Sequence, residues 1–78
     1  MAKKSAHEIR LGRIKAVIWP NETAAGIRHN VQLLRLYRVD GAEKWQTSDS
    51  FGRDDLLLVA KVADMAHTWI YDQRQATD

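Results

Sequence analysis

Residues 53–71 read Arg53-Asp54-Asp55-Leu56-Leu57-Leu58-Val59-Ala60-Lys61-Val62-Ala63-Asp64-Met65-Ala66-His67-Thr68-Trp69-Ile70-Tyr71, and this stretch decides the fold. Leu58, Val62, Met65, Ala66 and Trp69 recur at the three- and four-residue spacing that lines one side of an α-helix. Gly52 stands at the N-cap position, and Asp54 and Asp55 fall in the first turn, where the helix dipole favours negative charge. Adjacent helix positions point about 100° apart, so these carboxylates read as dipole partners rather than a catalytic pair. Leu56, Leu57, Val59, Ala63 and Ile70 widen the apolar stripe beyond what one small sheet can cover. The surplus predicts a homodimer in which the helix meets its own copy through Leu58, Val62, Met65, Ala66, Trp69 and Ile70. His67 falls on the helix near that contact, and residues 72–78 form a polar tail.

Toward the N-terminus the helical period gives way to alternation. Across residues 8–19, Ile9 and Leu11 share one parity and Ile14, Ala16 and Ile18 take the other, with Gly12 at the switch. The reading is one long strand bent at Gly12, with Arg13 and Lys15 on the face opposite Ile14 and Ala16. Pro20-Asn21-Glu22 and Ala24-Ala25-Gly26 then form a loop, since proline ends strand pairing. Residues 27–39 form the second strand, and Asp40-Gly41 is a two-residue hairpin signal of type I′. Counting from that turn pairs Val39 with Ala42, Tyr37 with Lys44, Leu36 with Trp45, Arg35 with Gln46 and Leu34 with Thr47. Leu34, Leu36 and Trp45 become the core face, and Arg35, Tyr37, Lys44 and Gln46 a wet, basic one. Val31 and Leu33 fall on the wrong parity for this scheme and call for a bulge or a subunit contact. Residues 48–51 add a short fourth strand or an extended approach to the helix. The predicted class is α+β: a curved four-stranded antiparallel sheet followed by one C-terminal amphipathic helix (ββββα), dimeric. Residues 1–7 form a mobile basic arm, and 8–71 a single domain.

At 78 residues, 45% hydrophobic and 28% charged, the chain is long enough for one soluble domain with a thin core. With no cysteine, disulfides and cysteine-based zinc sites are excluded, and a partner subunit becomes the expected support. No apolar run approaches the roughly 20 residues of a membrane span; the longest is Leu56-Leu57-Leu58-Val59-Ala60. The opening Met1-Ala2-Lys3-Lys4-Ser5-Ala6-His7-Glu8 lacks the apolar core of a signal peptide, so a cytoplasmic location is expected, nucleoid-associated if bacterial. Asn21-Glu22-Thr23 is then a chance glycosylation match. Net charge is +2, but its distribution is uneven: nine Lys/Arg against five Asp/Glu in residues 1–52, three against five in 53–78. A basic surface on the sheet layer follows.

Catalytic patterns are missing. His7, His29 and His67 show no metal-ligand spacing, Ser48-Asp49-Ser50 has no partner histidine in order, and Gly12, Gly26, Gly41 and Gly52 stand singly rather than in a phosphate-cradling loop. The chain reads as a non-enzyme without metal or cofactor. Arg13, Lys15, Arg28, Arg35, Arg38 and Lys44 all fall in the sheet portion, interleaved with Trp19, Tyr37 and Trp45. Cations for phosphates and flat rings for unpaired bases are what a single strand needs. A solvated sheet face carries Arg and Lys in any protein, and Trp19 and Trp45 also suit a core. Trp69, on the helix stripe, reads as core or interface.

The ββββα order, the strand opening Leu11-Gly12-Arg13-Ile14-Lys15, and Arg35-Leu36-Tyr37 before an acidic-glycine turn resemble the positive cofactor four family of single-stranded-DNA-binding transcriptional coactivators. The resemblance covers about residues 8–71, in short, scattered motifs. It implies two-fold dimers whose helices pack together and whose curved sheets present grooves for single-stranded DNA or melted duplex. Arg13 and Lys15 match that family's first-strand cations, and Arg35 and Tyr37 match its Arg and Tyr. Arg38 stands where the family has a stacking tryptophan, for which Trp45 is the candidate replacement, and Lys44 alone represents its lysine-rich loop. The expected function is sequence-tolerant binding of single-stranded DNA or RNA in transcription, replication or repair, with proteins of those processes as further partners. The alternative is a protein-interaction module of the same fold.

Overall fold

The computed structural model describes residues 4–41 and 43–76. Part of the expected arm and tail, and the Val39–Ala42 pair, lie outside the described residues. The strands are β1 (His7–Leu11), β2 (Ile14–Thr23), β3 (Gly26–Tyr37) and β4 (Gln46–Ser48), and a 3₁₀ turn (Arg53–Asp55) leads into α1 (Leu56–Ala76). They form one antiparallel sheet in the order β1-β2-β3-β4. Four strands and a helix agree with the sequence reading, but the chain divides them differently.

The long bent strand expected over residues 8–19 is a hairpin. Gly12 has φ +59° while no non-glycine residue among the described ones has positive φ, so Gly12-Arg13 suits a type II′ turn, and Leu11 faces Ile14 across it. The parity switch at Gly12 is thereby explained. Ile9 pairs with Ala16 and Leu11 with Ile14, so residues of opposite parity share the inner face. An added Cβ at Gly12 would meet only Leu58 Cδ1 at an ordinary 3.7 Å. Gly12→Ala should therefore lower stability by about 1 kcal/mol through backbone strain alone, read as a lower thermal midpoint.

Pro20 does not end β2, which runs on to Thr23. Its nitrogen falls on the β1 side of the strand, beyond His7, where β1 has already stopped, so no ladder bond is lost. The turn comes instead at Ala24-Ala25, where the Thr23 hydroxyl donates to the Gly26 carbonyl at 2.7 Å.

The second hairpin is longer than a two-residue turn. A type I′ turn needs positive φ at both central residues, and Gly41 alone has it (φ +82°). Residues 38–45 form the connection, and the register moves by two: Tyr37 faces Gln46, Leu36 faces Thr47 and Arg35 faces Ser48. Of the two readings of residues 48–51, the approach to the helix is the one seen, since β4 ends at Ser48.

The faces of β3 are also the reverse of those expected. Leu33 pairs with Ala16 and Val31 with Ile18, on the helix side, whereas Leu34 and Leu36 turn to the helix-free face. The misfit at Val31 and Leu33 needs no bulge. The core is Ile14, Ala16 and Ile18 against Val62 and Ala66, ringed by Ile9, Leu11, Leu33, Phe51, Leu58, Val59, Trp69 and Ile70. The centre of the helix stripe is thus taken up by the chain's own sheet, while Leu56 and Leu57 stay exposed. Val62 and Ala66 have 0% and 1% exposure in a single chain, leaving them no surface for a partner, and Leu58, Trp69 and Ile70 pack on the same core. Met65 is half-buried. The helix also continues through part of the expected polar tail, to Ala76.

Candidate nucleic-acid interface

At the end of the sheet where β1 turns into β2 and β3 runs out, the chain gathers cations around one exposed ring. Trp45, in the 38–45 connection, is 56% exposed rather than in the core. The Arg10 guanidinium lies 5.9 Å from its ring centroid and that of Arg38 5.6 Å, both within cation–π range. Arg10 is aimed by its Nε, which donates to the Gly12 carbonyl at 2.9 Å. Arg10, Arg13, Leu36, Tyr37, Arg38 and Trp45 line an open groove of about 610 Å³, floored in part by Gly12. Tyr37 carries Arg35 at 5.6 Å over its ring and donates its hydroxyl to Gln46 Oε1 at 3.4 Å.

Of the residues expected to bind nucleic acid, the fold brings Arg13, Tyr37, Arg38 and Trp45 to this groove. Arg35 adjoins it but is held from behind: its Nε donates to the Ser50 carbonyl at 2.9 Å and lies 3.9 Å from Asp55 Oδ2. Lys15 lies on the helix-free face, 2.7 Å from Glu8. That hydrogen bond, and the charge behind it, hold the Glu8 carboxyl below its ordinary pKa. Arg28 sits near the distant tip of the β2–β3 hairpin, opposite Asn21, and Lys44 is exposed in the connection without lining the groove. Sequence reasoning missed Arg10. Its signal was the alternation Ile9-Arg10-Leu11, which turns Arg10 outward once the inner face of β1 is known.

The buried Asp55 joins this region to the helix. Its backbone N–H donates to the Gly52 carbonyl at 3.0 Å, and its Oδ2 accepts from the Gly52 N–H at 3.1 Å. Its carboxylate also faces Arg13 Nε at 3.9 Å. Asp55 is thus a cap, as its place in the first turn suggested, and an anchor for two arginines besides. Trp19 belongs to neither the core nor the groove. It lies half-buried on the helix-free face, its Nε1 donating to Gln32 Oε1 at 3.3 Å. Trp69 packs on the core with His7 stacked on it at 4.8 Å and His29 edge-on at 5.7 Å, and His67 lies against Tyr71 at 4.6 Å. Among the described residues no group of three or more His, Cys, Asp or Glu could hold a metal ion, and no helix is long and apolar enough to cross a membrane.

Compared with known proteins, the chain matches no family model, no curated protein and no solved structure. The reading of the site therefore rests on its geometry.

Proposed function

We propose that this chain is a sequence-tolerant binder of single-stranded DNA or RNA, acting as a homodimer in transcription, replication or repair, and not an enzyme. The observation that carries the reading is Trp45, exposed between the guanidinium groups of Arg10 and Arg38 in an open groove. A base stacks on the indole, and the arginines that flank it meet the phosphates on either side. Arg13 and Tyr37 extend the groove, and Arg35 stiffens Tyr37 from behind. Duplex is disfavoured because its paired bases offer no free face to the ring. On the helix-free side of the sheet, Trp19, Lys15 and Arg28 supply a second ring and further cations along which a strand can continue.

Fluorescence anisotropy with a labelled single strand and the matching duplex, across a salt series, tests this. Tighter binding of the single strand is expected, with affinity falling as salt rises by a log–log slope of about 0.7 per phosphate neutralised. Absence of binding to either at low salt overturns the reading and makes the interaction module of the same fold the working answer.

A further inference from the structure

The outer edge of β3 is open along most of its length. The Leu36 N–H donates to the Arg13 carbonyl at 2.7 Å, in register with the β2–β3 ladder. Antiparallel ladders alternate, so Leu34, Gln32, Asn30 and Arg28 also turn their backbone groups to β2, whereas Leu33, Val31, His29 and Ile27 turn theirs outward. The next outward residues, Arg35 and Tyr37, are the ones β4 takes up; β4 reaches no further along the strand. The helix lies chiefly over β2 and β1 and touches this edge through Trp69, edge-on to the His29 ring. Natural sheets guard such edges with charged side chains, proline or bulges; residues 27–34 contain no proline and no bulge, and Arg28, near the hairpin tip, is their one Lys, Arg, Asp or Glu. The opposite edge, β1, is short and carries the charged Glu8 and Arg10. On the helix side of the open edge, Ile27 is 63% and Val31 40% exposed.

We propose that this edge pairs antiparallel with the same edge of a second copy, Asn30 facing Asn30, so that one sheet runs unbroken through both chains. The sequence of the edge is complementary to itself in that register. Ile27 falls opposite Leu33 and His29 opposite Val31 on the helix side, and Arg28 falls opposite Gln32 on the other, so no charge meets its like. All the outward backbone groups of Ile27, His29, Val31 and Leu33 find partners. A slip of two residues toward Tyr37 drives the second copy into β4, and one the other way leaves Leu33 unpaired. A slip of one sets inner-face residues against outer-face ones, which a two-fold axis forbids. The second copy is favoured over a foreign strand because of this fit, and the inference does not depend on nucleic-acid binding. It places dimerisation on the sheet edge, where the sequence had placed it on the helix.

The test uses Asn30, which sits on the axis with its side chain on the helix-free face. Asn30→Lys and Asn30→Asp each set like charges against each other, and each should weaken self-association by up to about fivefold by sedimentation. An equimolar mixture of the two variants should restore association as a heterodimer. Asn30 forms a non-hydrogen-bonded pair across the axis, with Cβ atoms about 4.5–5.5 Å apart. In this cysteine-free chain Asn30→Cys should therefore cross-link under mild oxidation, whereas Arg28→Cys, set diagonally, should not. A monomeric parent overturns the inference. So does a dimer indifferent to Asn30→Lys and Asn30→Asp but dissociated by Leu57→Asp on the exposed face of the helix. Single-strand binding by a monomer would overturn this inference together with the homodimer of the proposed function, and leave the single-strand binding itself standing.

Discussion

Trp45→Ala lowers single-strand affinity by roughly ten- to a hundredfold and leaves the thermal midpoint within about a degree of the parent. The first figure follows from base–aromatic stacking, worth about 1–3 kcal/mol per base when the ring is removed. The second follows from exposure: Trp45 lies outside the core and outside every strand. The salt dependence separates the ring's role from that of its neighbours. Trp45→Ala keeps the slope of log affinity against log salt, because no phosphate contact is lost. Arg10→Ala and Arg38→Ala each reduce it by about 0.7. Affinity measured by anisotropy at several salt concentrations reads both quantities. A Trp45→Ala variant that binds like the parent would move the stacking surface to Trp19.

Asp55→Ala carries the largest expected cost to stability, about 2 kcal/mol, or a fall in thermal midpoint on the order of 10 °C for a domain of this size. Three losses combine. The Gly52 N–H loses its acceptor, the start of the helix loses its negative charge, and Arg35 and Arg13 lose the carboxylate they share. Both arginine contacts are long at 3.9 Å, so most of the cost lies in the cap and in the buried polar groups left behind. Asp55→Asn keeps an acceptor for Gly52 and recovers about half of the loss. Circular dichroism melts compare the variants; an Asp55→Ala midpoint equal to the parent's would show that the helix starts without this side chain.

The helix and its share of the core were legible because helical periodicity is local. The spacing of Leu58, Val62, Ala66 and Trp69 survives whatever the sheet does. The sheet was legible in strand number but not in division or facing, and the errors of division trace to two turns. The Gly12 turn was read as a bend, although a parity switch at a glycine signals a reversal just as well. The Asp40-Gly41 pair suggested a tight turn, but the register followed a longer connection whose length no local pattern sets. A shift of two keeps parity, so the reversed faces of β3 came instead from taking Leu34, Leu36 and Trp45 as the core, when Trp45 lies in the connection, outside β4. Leu33 and Val31 held the correcting signal, since their parity fitted only the arrangement now seen. The gathering of Arg10, Arg38 and Trp45 joins an edge strand to a distant connection and could not be read from spacing alone.

The three tryptophans sit in three separate environments: Trp45 at the groove, Trp19 on the open sheet face, and Trp69 on the core between two imidazoles. Each ring is therefore a spectroscopic reporter of a different event, with no label attached. Quenching of Trp45 emission follows occupancy of the groove, and a change at Trp19 shows that the ligand extends along the sheet. Trp69 responds when the helix parts from the strands that carry His7 and His29. Single-tryptophan versions of the chain would resolve these events on their own timescales, so that binding, extension and unfolding are followed by light from the native residues.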